Sequence, residues 1–193
     1  MQHADSRHLA SLQRHWKRHR AFPSMAKLAD VMGLASAGSV FQAVGRLVEG
    51  GFLERVEGRI APTKRFFSRP VLGKVRAGQP DPVAPDDEVG LLSIDDFVVR
   101  RPERTSFAFV RGDSMKDRGL LDGDVVVVEH NTLPRPGDVV VALVDGATTV
   151  KTLRLEGREY VLEPANPAFQ TIRPGSSLEV LGVVVGCVRR MVT

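Results

Sequence analysis

The 193-residue sequence predicts two domains of different class, a basic and mainly helical N-terminal domain followed by a mostly-β C-terminal one. Three observations predict it. Apolar residues recur at helical spacing as far as residue 51, whereas from Phe107 onward they gather into short valine-rich runs parted by turn residues. Between these regions PDPVAPDDEVG has the proline-rich, acidic composition of an exposed linker. Charge is divided as well: residues 1–70 hold 12 Lys/Arg against 5 Asp/Glu, and residues 71–193 hold 15 against 18. His3, His8, His15 and His19 also lie in the first part, which points to a polyanion partner for that part alone.

Element by element, SRHLASLQRHWKRHRA carries Leu9, Leu12 and Trp16 on one stripe of a first helix. PSMAKLADVMG predicts a second helix, with Ser24 as N-cap, Met25, Leu28 and Met32 inward, and Gly33 as the stop. SAGSVFQAVGRLVEGG places Val40, Val44, Leu47 and Val48 on one face of a third, ending at Gly50-Gly51. FLERVEGRIAPTKRFF then reads as strand, glycine turn, strand. This order is that of a winged helix-turn-helix, here residues 1–69. Its third helix would offer Ser36, Gly38, Ser39, Phe41, Gln42 and Arg46 to a major groove. Gln42 suits an adenine edge, Arg46 a base or phosphate, and Phe41 a thymine methyl. Arg55, Arg59, Lys64 and Arg65 would hold phosphates from the wing, which positions without specifying. A protein-binding module with an incidentally basic surface is the competing reading.

In the C-terminal part, FAFVRG, DVVVVEH, DVVVALVD, TTVKTLRLE, EYVLEPA and LEVLGVVVGCVRRM read as strands, with DGD, PRPGD, DGA and EGR as turns. Residues 91–193 form this domain and residues 70–90 the linker. No apolar run reaches the ~20 residues of a membrane helix, the N-terminus lacks a signal-peptide pattern, and Cys187 has no disulfide partner. These features lead to the expectation of a cytoplasmic protein that needs no cofactor, since no metal-ligand cluster or phosphate-binding glycine loop is evident.

Two polar features stand out from a bland β domain. GDSMKDRGLLDGD crowds glycine and aspartate around Ser114 just after a strand, where a nucleophile would be presented. In TTVKTLRL, alternation puts Thr149 and Lys151 on the face opposite Val150. A lysine turned inward tends to lose its proton, and a neutral amine can serve a serine hydroxyl as base without histidine. His130, alone in this half, makes no strong case for a Ser-His-Asp arrangement. Without further context, Ser114 as a turn cap and Lys151 as a surface lysine is the plainer reading.

Together these stretches resemble the LexA family of self-cleaving repressors over nearly the whole chain. The resemblance rests on the helix-turn-helix region, Ala77-Gly78 within VRAGQP, GDSMKDRGLLDGD, the TVK lysine 37 residues beyond the serine, and LEVLGVVVGCVRR. It implies a Ser114–Lys151 catalytic dyad, oxyanion donors in the backbone N–H groups of Asp113 and Ser114, and a scissile bond at Ala77-Gly78. Val75 would fill an apolar subsite. Taken alone, VRAGQP is an ordinary linker; beside the dyad it becomes the substrate, with a small residue before the bond and a freely turning glycine after it. The resemblance further implies a homodimer on double-stranded operator DNA and a RecA–single-stranded-DNA filament that triggers cleavage and derepresses DNA-damage (SOS) genes. Asp113 stands where many members carry an apolar residue. GDSM and SIDDFVVRRPERTSFAFV are closer to UmuD, which lacks a DNA-binding domain, and SAGSVFQ departs from the usual recognition helix. A phage or mobile-element repressor with the same switch, and a DNA-binding regulator whose peptidase site is idle, are the alternatives. A signal peptidase of similar chemistry would need a membrane anchor.

Overall fold

Three helices open the chain in the computed structural model, which describes residues 3–71 and 90–191. The chain divides into two units, Met1–Phe97 and Val98–Thr193. Val75, Ala77 and Gly78 lie outside the described residues.

In the first unit, α1 (His3–His19), α2 (Met25–Met32) and α3 (Ala37–Glu49) enclose one apolar cluster. Leu9 and Leu12 enter it from α1, Leu28 and Met32 from α2, and Val40, Ala43, Val44 and Leu47 from α3. Helical periodicity produces this stripe, and its burial supplies most of the stability such short helices have. Met25 departs from expectation: it is 53% exposed, because as the first residue of α2 it overhangs the cluster that Leu28 and Met32 enter. Ser24 occupies the N-cap position, but its side chain makes no capping bond. Gly33 ends α2 in the left-handed conformation at φ 67°, its N–H donating to the Ala29 and Asp30 carbonyls.

Strands β1 (Leu53–Val56) and β2 (Arg59–Pro62) form a hairpin. Glu57 and Gly58 connect them, both at positive φ (50° and 75°), the turn whose twist suits a two-residue hairpin. The chain then turns into a one-turn helix, α4 (Lys64–Phe67), that buries Phe66. Lys64 and Arg65 therefore lie beyond the hairpin and not on it, because Phe66 must reach the cluster. β3 (Arg69–Pro70) pairs with β4 (Leu91–Leu92), and Val71 N–H donates to Gly90 O at 2.9 Å. The short helix α5 (Ile94–Val98) follows.

The second unit is one antiparallel sheet of β5 (Thr105–Phe109), β6 (Val125–Glu129), β7 (Val139–Val144), β8 (Ala147–Glu156), β9 (Glu159–Glu163) and β10 (Leu178–Val188). Its spatial order is β5-β6-β10-β7-β8-β9, so the last strand lies at the centre. Both faces carry apolar clusters. Val140, Ala142, Val144, Leu153, Leu162 and Val183 fill one, and Val110, Met115, Leu120, Val126, Val128 and Val141 the other. Successive residues of a strand point to opposite faces, so burial on both sides explains unbroken valine runs in place of alternation. β10 shifts register between Val180 and Gly182 and again between Val184 and Gly186. At Gly182 a Cβ would meet Val128 Cγ1 at 2.6 Å and Glu129 O at 2.7 Å, so only glycine lets the strands approach this closely. Among the described residues no single helix is long and apolar enough to cross a membrane.

Candidate active site

Ser114 lies in the loop between β5 and β6, and that loop explains its own composition. Its neck is closed by Val110 N–H on Asp124 O (2.8 Å) and Gly123 N–H on Val110 O (3.0 Å). Met115 and Leu120 anchor it in the core, at 2% and 7% exposure. Gly112, Gly119 and Gly123 all have positive φ, at 81°, 79° and 84°, which other residues adopt at a cost. Asp122 Oδ1 accepts from Gly112 N–H at 2.7 Å. Asp124 is fully buried and ties the loop down: its carboxylate accepts from Leu121 N–H at 2.8 Å and from Arg189 Nε and Nη2, both at 2.6 Å. That guanidinium, with the backbone donor, holds the Asp124 carboxyl well below the usual carboxylate range.

Lys151 sits midway along β8, opposite Val140 of β7, and is only 6% exposed. Its Nζ lies 2.8 Å from Ser114 Oγ, 3.0 Å from Thr149 Oγ1 and 3.0 Å from Val150 O. Burial lowers its pKa, since the ammonium loses hydration. No carboxylate within salt-bridge distance of it appears among the described residues. As an ammonium, Lys151 donates to all three oxygens. As a neutral amine it has two protons for Thr149 Oγ1 and Val150 O, leaving the lone pair to accept from Ser114 Oγ–H. The pair opens onto a cleft of about 280 Å³ walled by Phe109, Val110, Met115, Val141 and Val150.

His130 is engaged elsewhere. Leu181 O can only accept, so Nδ1, 2.7 Å away, carries the proton. Nε2 lies 2.7 Å from Ser106 Oγ, so both ring nitrogens are engaged.

On the first unit, Gly38, Ser39, Phe41 and Gln42 are exposed along the first turns of α3, opposite its buried face. Ser36 caps that helix, its Oγ accepting from Ser39 N–H at 3.2 Å. Phe41 is 63% exposed, with the Arg55 guanidinium 5.7 Å from its ring centroid. Arg46 donates from Nε to the buried Asp5 carboxylate at 2.8 Å, so it ties α3 to α1. Arg59 is exposed at the start of β2. Lys64 is exposed on α4, 3.5 Å from Asp96, and Arg65 lies over Phe52 at 5.1 Å.

Residues 70–185 match the Peptidase S24-like family. Several known proteins similar along most of their length are named LexA repressors. LexA repressor 1 of Nocardia farcinica is 35% identical over 189 residues, covering 90% of this chain and 86% of the relative. LexA repressor 2 of Pseudomonas putida is 36% identical over 185 residues, covering 89% of each. The LexA repressor of Koribacter versatilis is 33% identical over 192 residues, covering 89% of this chain and 90% of the relative. The chain belongs to the LexA repressor family.

In this family member the structure adds groups around the Ser114–Lys151 pair. Thr149 accepts from Lys151 Nζ, and its place two residues away on the same strand face was open to reading. Ala165 and Asn166 lie just after β9. Ala165 N–H donates to Ser114 O at 2.8 Å, and Asn166 Nδ2 to Asp113 O at 3.0 Å. Nothing in the local sequence marks that second pair, because each partner lies more than 50 positions away.

Proposed function

We propose that the chain is a transcriptional repressor of DNA-damage genes, a Ser-Lys endopeptidase that inactivates itself by cutting its own Ala77-Gly78 bond. The observation that carries this reading is Lys151 Nζ at 2.8 Å from Ser114 Oγ, in a buried setting that favours the neutral amine. Lys151 takes the Ser114 proton, and Oγ attacks the Ala77 carbonyl carbon. The oxyanion is held by the backbone N–H groups of Asp113 and Ser114. The C–N bond to Gly78 breaks as Lys151 returns a proton to the departing amine, and water then hydrolyses the ester. Presentation of the bond within one chain supplies a high effective concentration, so a slow base suffices.

In this reading the first unit is a winged helix-turn-helix. The exposed side chains Ser39, Phe41 and Gln42 face bases, with Ser36 and Gly38 at the helix start and Arg59 and Lys64 beside phosphates. A homodimer joined through the C-terminal domains spans two operator half-sites and is nucleoid-associated. A RecA–single-stranded-DNA filament favours the cleavable state, with Val75 seated in an apolar subsite. Cleavage parts the reading heads from the dimer and removes an avidity of roughly 10²–10⁴.

Intact mass after incubation of the purified chain, with and without a RecA filament and nucleotide, tests this. The expected result is two fragments meeting at Ala77-Gly78, absent in Ser114→Ala and Lys151→Ala while operator binding persists. A chain that stays whole even with the filament would leave a DNA-binding regulator with an idle site.

A further inference from the structure

We infer that Asn166 is a positioning residue for self-cleavage, its side-chain amide aiming the Asp113–Ser114 peptide so that Ser114 N–H faces the developing oxyanion. The inference rests on the reading of Ser114 as nucleophile. Asn166 is 4% exposed, and a buried amide must find partners. Its Oδ1 accepts from Ala168 N–H at 3.0 Å. Its Nδ2 donates to Asp113 O at 3.0 Å and lies 3.3 Å from Asp113 Oδ2. Next to it, Ala165 N–H donates to Ser114 O at 2.8 Å, and Ala165 O accepts from Asp117 N–H at 2.9 Å. The two carbonyls that flank the Ser114 α-carbon are thus both held by residues 165–166.

Peptide planarity turns that grip into an aim. In a trans peptide the C=O and N–H lie in one rigid plane and point in opposite directions. Fixing Asp113 O by Asn166, with Lys116 N–H on the same oxygen at 3.1 Å, therefore fixes the direction of Ser114 N–H. That N–H has no acceptor among the described residues. The same amide also donates to Asp113 Oδ2 at 3.3 Å, so it holds a carboxylate whose negative charge would oppose a nearby oxyanion.

The test uses the full chain, with cleavage rate followed by intact mass across pH for wild type, Asn166→Ala, Asn166→Leu and Ser114→Ala. Asn166→Leu keeps the branching and heavy-atom count and brings no charge near Lys151, but it offers Asp113 O no donor; thermal melts identify which variants are folded. The plateau rate is expected to fall at least tenfold, short of the roughly 10²–10³-fold cost of deleting an oxyanion donor. The pH midpoint set by Lys151 should stay where it is. Wild-type rates in the folded Asn166 variants would overturn the inference, as would a loss accompanied by a shifted midpoint, which would place the effect on Lys151. Cleavage by Ser114→Ala would instead overturn the nucleophile assignment beneath it.

Discussion

Replacing Arg189 with methionine isolates the tie that holds the Ser114 loop to the end of the chain. Three short hydrogen bonds vanish together: two to the Asp124 carboxylate and one to Gly119 O, each 2.6 Å. Asp124, with its side chain 1% exposed, keeps the Leu121 N–H and the weakly donating Cys187 thiol but loses its one cationic partner among the described residues. Removing one partner of a buried pair typically costs 3–5 kcal/mol, because the other charge is left without compensation. The Arg189 side chain is 34% exposed, so water partly fills its place, and the low end, about 3 kcal/mol, applies. At roughly 4–8 °C per kcal/mol for a unit of this size, the second unit should melt about 12–24 °C lower. Calorimetry of wild type, Arg189→Met, Asp124→Asn and the double variant reads this directly. The double variant should recover part of the loss, since the stranded charge is the main cost. Acid gives the sign. A carboxyl depressed in the folded state stabilises above its ordinary pKa near 4 and loses that contribution as pH falls through the folded value. Wild type and Arg189→Met should therefore converge in acid. A shift under about 3 °C at neutral pH, or strict additivity in the cycle, would refute the reasoning.

Two further outcomes follow from the same geometry. Self-cleavage should accelerate with pH and level off below the ordinary lysine value of 10.5, because burial has lowered the Lys151 pKa. Stability should rise over that same window, where the unfolded chain binds the proton that the folded one has released; a rate centred at or above 10.5 would remove the lysine base. Gly182→Ala forces a Cβ to 2.6 Å from Val128 Cγ1 and 2.7 Å from Glu129 O, and a strand carbonyl cannot swing aside. A loss of about 1–3 kcal/mol is expected in thermal melts, and an unchanged melting temperature would mean that β10 can slide.

What the sequence determined by itself was local. A repeating polarity pattern is a property of neighbouring residues, so Leu9 and Leu12, then Val40, Val44 and Leu47, already marked their helix faces, and six short apolar runs, three of them rich in valine, marked six strands. Clustered glycines and aspartates likewise announced a tightly turned loop at Ser114, because positive φ and backbone capping demand those residue types. Tertiary structure decided whatever depends on partners far along the chain. Arg46, read as a groove contact, meets Asp5 across 41 positions, and Lys64 leaves the hairpin because Phe66 has to reach the core. The final strand went to the centre of the sheet, where Gly182 admits a neighbouring backbone that no local pattern announces. The 2.8 Å approach of Lys151 to Ser114 belongs to both levels. Alternation along β8 set which side chains share the lysine's face, and packing on both sides of the sheet buried it and removed water that favours its charged form.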